Sequence, residues 1–234
     1  MSLPTVLIPG LNCSAQIYRE QIPHVWRCGP VLVADHRSGG SVREIAANIL
    51  ADCPPRFALV GFSLGGYIAF EILRQAAHRV GKLALIDTSA RPDTAEQTAL
   101  RRERMRMALD GRFAESVRLQ FPRSTHRSRH DDDALRTAYL GMAEECGADV
   151  FVRHSQAIIF RPDSRPVLAE IRCPTMVIVG DSDALTPSEL AQEMVAGIAG
   201  ATLRTIAEAG HLTPMERPAA VTQSLLELLT GPAD

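Results

Sequence analysis

The chain has 234 residues, 46% hydrophobic and 22% charged, with 25 basic side chains against 27 acidic ones. That length suits one large domain, or one domain with an insertion, and buries a full apolar core without staples. A net charge of −2 gives no reason to expect nucleic acid as a partner, and no apolar run approaches the roughly 18–20 residues of a membrane span. The opening Met1-Ser2-Leu3-Pro4-Thr5 has no basic stretch and no small-residue cleavage site, so a secretory leader is not expected. The five cysteines (Cys13, Cys28, Cys53, Cys146, Cys173) are scattered without a Cys-x-x-Cys pair, which speaks against a disulfide framework or a zinc site. A reduced cytoplasmic setting follows as the expectation, with no metal and no cofactor. Composition leaves the oligomeric state open.

Short runs rich in Val, Ile and Leu recur at 5–8, 31–34, 57–60, 83–86, 176–179 and, more weakly, 202–206. Continuous rather than alternating hydrophobicity predicts strands covered on both faces, as in a parallel sheet. Helical patterns lie between them at 42–52, 64–78, 188–198 and 219–229. Ser41 is placed to cap the first, with Glu44 three residues on as in a capping box. Alternating strands and helices make this an α/β chain with a doubly wound sheet.

The rhythm breaks between residues 89 and 166, where no strand is expected and helices are predicted over 94–109, 134–146 and 149–160. The division this implies is a core of residues 1–88 and 167–234 with an all-helical lid insertion at 89–166. Such insertions cap the site that a sheet creates.

Gly61-Phe62-Ser63-Leu64-Gly65 is the sharpest local signal, because it joins a predicted strand to a predicted helix. A turn sharp enough to lift the serine hydroxyl off the sheet edge needs glycine two residues before and two after, where a Cβ would strike the neighbouring strand or helix. A serine hydroxyl is a poor nucleophile until a positioned base takes its proton. Of the seven histidines, His211 follows the last predicted strand in a Gly-His loop stiffened by prolines. His36, at an earlier strand end, is its rival, and His24, His78, His126, His130 and His154 read as surface or lid residues. The base needs a carboxylate to fix its tautomer. Asp35, Asp87, Asp181 and Asp183 all stand at strand ends, and spacing by itself does not choose among them.

The Gly-x-Ser-x-Gly turn, a Gly-x-x-Asp-x-x-x-Pro loop (Gly180, Asp183, Pro187) and the Gly-His loop, in the order Ser, acid, His, resemble the α/β-hydrolase superfamily along essentially the whole chain. Gly210-His211-Leu212-Thr213-Pro214-Met215-Glu216-Arg217-Pro218 is similar to its small serine esterase, lactonase and carbon–carbon hydrolase branch. The resemblance implies an α/β-hydrolase fold, here shortened to a mostly parallel sheet of about six strands flanked by helices. It also implies Ser63 as nucleophile, His211 as general base, Asp183 as orienting acid, and the backbone amides of Leu11 and Leu64 as oxyanion hole. Pro9 stands where the superfamily usually has histidine before the oxyanion glycine, Gly10. Asp35-His36-Arg37 resembles a structural loop of the same family, with Asp35 and Arg37 expected to bond nearby backbone. Relatives that use aspartate at the elbow, the dehalogenases and epoxide hydrolases, are set aside because the residue here is Ser63.

The implied activity is acyl transfer from a small-molecule carboxylic ester or lactone to water. Carbon–carbon bond cleavage or synthase chemistry on the same triad, and a slow or non-catalytic ligand receptor, are the alternatives. Nine arginines between 101 and 129 face three acidic residues, a local charge of +6, which suggests either recruitment of an anionic substrate or an ordinary solvated helix face. Asn12, Trp26, Met105 and Met107 are candidate substrate contacts, with Tyr18, Leu109, Phe113 and Phe121 beside them.

Overall fold

Strands that are apolar on both faces are stable only where both faces are covered, and that requirement shapes the core. The computed structural model describes residues 3–232. Its sheet contains β1 (Thr5–Ile8), β2 (Val31–Val33), β3 (Phe57–Phe62), β4 (Val80–Ile86), β5 (Thr175–Gly180) and β6 (Thr202–Ile206). Every pairing is parallel, in the order β2-β1-β3-β4-β5-β6. The four central strands are buried throughout, whereas edge strand β6 is exposed at Thr202, Arg204 and Thr205. The expected shortened α/β-hydrolase sheet of about six strands is therefore present.

The helices are α1 (Ile22–Val25), α2 (Val42–Asp52), α3 (Leu64–Ala76), α4 (Ala95–Leu109), α5 (Phe113–Ser124), α6 (Asp133–Cys146), α7 (Ala148–Ile159), α8 (Arg165–Leu168), α9 (Ser188–Gly197), α10 (Thr213–Glu216) and α11 (Pro218–Thr230). Ser41 Oγ accepts from the Glu44 amide at 3.2 Å, as its capping position predicts. Apolar side chains of α2, α3 and α9 cover one face of the sheet, and those of α1 and α11 the other. Lys82, the chain's single lysine, reaches from β4 to the carbonyls of Leu228, Leu229 and Gly231 at 2.7–3.0 Å and so ties down the end of α11.

Between β4 and β5 the chain runs through α4 to α8 without entering the sheet. Helix α5 has no counterpart among the expected elements. Pro122 inside it and charged residues along it hide the apolar stripe, yet Val117 and Phe121 are buried. The strand order runs outward in both directions from β1 and β3, and such a reversal opens a crevice at the carboxyl ends of the two strands. Leu11 follows β1 and Ser63 follows β3, so the two loops flank that crevice.

Candidate active site

Ser63 sits between β3 and α3 with φ +52°, ψ −112°, a conformation that L-residues rarely adopt. A Cβ at Gly61 would lie 2.4 Å from Gly65 O, and one at Gly65 would lie 2.2 Å from Ile8 O. Only glycine fits at either place. The strained turn is secured from both sides: the Ser63 amide donates to Ile86 O at 2.9 Å, and Thr88 Oγ1 donates to Ser63 O at 2.8 Å.

His211 arrives from the loop after β6, with Nε2 2.9 Å from Ser63 Oγ and Nδ1 2.8 Å from Asp183 Oδ2. A carboxylate can only accept, so Nδ1 carries the proton and Nε2 is left to accept from the serine hydroxyl. Burial pushes the Asp183 carboxyl up, but the His211 ring and the Thr186 hydrogen bonds outweigh it and hold the group below its ordinary range. Asp183 Oδ1 accepts from the Leu185 and Thr186 amides at 2.8 and 2.9 Å, and Thr186 Oγ1 donates to Oδ2 at 2.6 Å. This arrangement can move a proton from Ser63 to the imidazole and steady the charge that forms.

The other strand-end carboxylates have different neighbours. Asp181 accepts from the Glu208 and Ala209 amides at 3.0 and 3.3 Å and so braces the loop after β6. Asp87 is fully buried, accepting from the Gly180 amide at 3.0 Å and from Thr213 Oγ1. Burial, then repulsion from Asp183, keeps its carboxyl well above the usual range. Asp35 is exposed and bonds chiefly to Arg37, through its amide at 3.0 Å and its guanidinium at 2.8 and 2.9 Å.

Leu64 opens α3, so its amide lacks an intrahelical partner. Leu11 lies in the loop after β1 and lines a cavity of about 330 Å³ together with Ser63, His211 and Asn12. The Asn12 side-chain oxygen is buried there without a hydrogen-bond partner. The wall opposite the sheet comes from α4 to α7, through residues such as Leu100, Arg104, Gln120, Tyr139 and Ile158.

Several expectations need correction. Trp26 is 71% exposed and takes no part in the cavity, because α1 and the turn after it pack toward α11 instead. Tyr18 is fully buried and donates to Ile8 O at 3.0 Å, which makes it a brace for β1 rather than part of the mouth. Met105 and Met107 do not line the cavity either. Gln97, Leu100, Arg101 and Arg104 form the facing stripe of α4; Met105 turns off it and Met107 lies a turn beyond its end. Leu109 is 70% exposed, Phe113 packs with its ring tilted against Phe151, centroids 5.3 Å apart, and Phe121 is core beside Tyr139. His154 lies on α7, within the helical segment, and is buried rather than exposed. Its Nε2 bonds His36 O at 2.9 Å, and its ring lies 4.9 Å from the buried His36 ring. His36 itself bonds Gly10 O at 3.0 Å and supports the loop after β1.

Glu216 also belongs to the support of this site. Its buried carboxylate accepts from the His126 amide at 2.7 Å, Gly210 at 2.9 Å and Leu212 at 3.3 Å. Ser124 O takes the His211 and Leu212 amides at 3.0 and 3.1 Å. The histidine loop is thus stitched to the end of α5. An acidic residue five positions beyond the histidine was visible in the sequence, but nothing there showed which amides it would meet.

A sheet of this order, a serine on a strained strand–helix turn, and an imidazole bridging it to a carboxylate define an α/β hydrolase. Residues 6–223 match the alpha/beta hydrolase family, and the chain belongs to it. It is 26% identical over 205 residues to a pimeloyl-[acyl-carrier protein] methyl ester esterase of Edwardsiella ictaluri, covering 80% of this chain and 77% of that one. It is equally 26% identical over 205 residues to a 2-hydroxy-6-oxononadienedioate/2-hydroxy-6-oxononatrienedioate hydrolase of Escherichia coli, covering 83% and 71%. A thermophilic esterase from Thermogutta terrifontis superposes with a TM-score of 0.84 at 27% identity, over 98% of this chain and 90% of that one. The enol-lactonase from Burkholderia xenovorans LB400 shares the fold at a TM-score of 0.88 and 20% identity, over 99% and 92%. No helix among the described residues is long and apolar enough to cross a membrane.

Proposed function

We propose that this hydrolase cleaves a small carboxylic ester or lactone through an acyl-enzyme. The observation that supports this reading is the unbroken hydrogen-bonded run from Ser63 Oγ through His211 to Asp183, opening on a cavity sized for a small molecule. Ser63 Oγ attacks the carbonyl carbon as its proton passes to His211 Nε2. The amides of Leu11 and Leu64 stabilise the oxyanion, each such donor contributing about 2.7–4 kcal/mol. Collapse expels the alcohol, which leaves with the proton from Nε2. Water then repeats the sequence on the acyl-enzyme, releases the acid and restores Ser63. Residues 89–166 serve in this scheme as the lid of a core made of residues 1–88 and 167–234.

Release of nitrophenol from p-nitrophenyl butyrate, abolished in Ser63→Ala, is the expected result. Labelling of Ser63 by a fluorophosphonate without turnover of any ester would shift the reading to carbon–carbon bond cleavage. Folded protein that shows neither labelling nor turnover would sink the enzyme reading.

A further inference from the structure

The structure sorts the arginines of the helical segment by partner. Arg101 and Arg161 share the single carboxylate of Asp93 at 2.9 and 2.6 Å, while Arg112 pairs with Glu115 and Arg129 with Asp132. Arg102, Arg106, Arg118 and Arg127 are exposed to water. Arg104 fits neither group. It projects from the inner stripe of α4 into the wall of the cavity that contains Ser63. Its Nε donates to Ser116 Oγ at 3.3 Å, and its guanidinium lies over the Phe151 ring at 5.4 Å. Its Nη2 is buried and has no hydrogen-bond partner, and no carboxylate among the described residues pairs with it.

A guanidinium lobe removed from water with nothing to receive its protons is costly, and folded proteins keep such groups where something else completes them. The surroundings do not supply that completion. Gln120 and Tyr139, on the same wall, are neutral, and Arg123 adds another positive charge. The two arginines on Asp93 leave the adjacent wall positive as well. A planar anion such as a carboxylate takes two parallel N–H bonds from a guanidinium, which is the chemistry this wall is built to meet.

We propose that Arg104 receives a carboxylate carried by the substrate, away from the carbonyl that Ser63 attacks. The substrate class is then a monoester, or a carboxylated lactone, derived from a short dicarboxylic acid. This rests on the serine-hydrolase reading of the same cavity. It also gives the arginine surplus a specific content: one arginine is the receptor, and most of the others are paired or meet water.

The test compares monomethyl glutarate with its uncharged counterpart methyl valerate, following acid release, in wild type, Arg104→Met and Arg104→Lys. Glutarate binding to wild type and Arg104→Met is measured by calorimetry alongside. The ratio of the two kcat/KM values is internal to each variant, so differences in folded protein cancel. Wild type is expected to favour the charged ester, and Arg104→Met to lower that ratio by about 10- to 100-fold, mostly through KM. Arg104→Lys, which keeps the charge and loses the fork, should recover part of it. An unchanged ratio in Arg104→Met would overturn the assignment while leaving the hydrolase reading intact. If neither ester turns over, the ester reading is judged by the nitrophenyl ester and fluorophosphonate assays above, and glutarate binding that Arg104→Met abolishes still upholds the anion site. Absence of binding together with absence of preference refutes it.

Discussion

Replacing Asp183 by asparagine preserves shape and changes only which atoms accept. Oδ1 takes two backbone amides, from Leu185 and Thr186, while Oδ2 takes Thr186 Oγ1 and His211 Nδ1. Asparagine has one acceptor oxygen and must choose between these pairs. If the oxygen stays on the two amides, its NH2 faces His211 Nδ1, and the imidazole can receive that hydrogen only by moving its own proton to Nε2. The proton then points at Ser63 Oγ and no base remains. The flipped amide keeps the tautomer but sets an NH2 against two buried N–H groups, at about 1–3 kcal/mol for each bond lost. The first arrangement is the less costly, and its wrong tautomer should lower kcat by about 10⁴, or roughly 5.5 kcal/mol in the barrier. Initial rates of p-nitrophenyl butyrate hydrolysis, with urea unfolding to check the fold, measure it. Asp181→Asn, whose partners are amides of the loop after β6, should lose far less. A kcat for Asp183→Asn above about a tenth of wild type would refute the acid assignment, and the reverse order of the two variants would move the role to Asp181.

Two more predictions concern the supports of the site. Glu216→Gln places an NH2 where Glu216 receives the amides of His126, Gly210 and Leu212, so one donor loses its acceptor. Chemical denaturation should show a loss of about 1–3 kcal/mol, and kcat should fall as the His211 loop loosens; unchanged values in both measurements would remove Glu216 from that role. Burial, then the neighbouring His154, lowers the His36 pKa to about 4. Between pH 6.5 and that value the unfolded chain holds the proton and the folded one does not, so stability rises with pH and is lost on acidification, by up to about 3 kcal/mol. Urea midpoints from pH 7 to 4.5 report this, and a slope just as steep in His36→Gln would assign the acid sensitivity elsewhere.

Much of the site was legible in the sequence because its chemistry is local. Gly61, Ser63 and Gly65 specify a turn whose sterics depend on residues within five positions and on one adjacent strand. The apolar runs needed only their own side chains to declare a covered sheet. Spacing alone left Asp181 and Asp183 open, and both are tied into the same turn; the geometry separates them because only Asp183 meets His211. The failures had a common cause. Trp26, Met105 and Met107 were placed near the cavity by their chemical type and their position along the chain, whereas the direction a side chain faces depends on how α1 and α4 pack. Helix α5 is hidden in the sequence because Pro122 and its charges outweigh the two buried apolar residues, Val117 and Phe121.

Length allowed one large domain or one domain with an insertion, and a net charge of −2 gave no sign of the arginine-rich stretch at 101–129; the amino-acid pattern by itself determined the parallel sheet, the serine elbow and the candidate base. These are set by periodicity and by steric limits that act over a few residues. Tertiary structure decided the rest: which carboxylate touches the imidazole, which amides Glu216 binds, and which arginine is left unpaired in the cavity wall. Each of those depends on the close approach of segments tens of residues apart, and such distances come from packing rather than from neighbours in the chain.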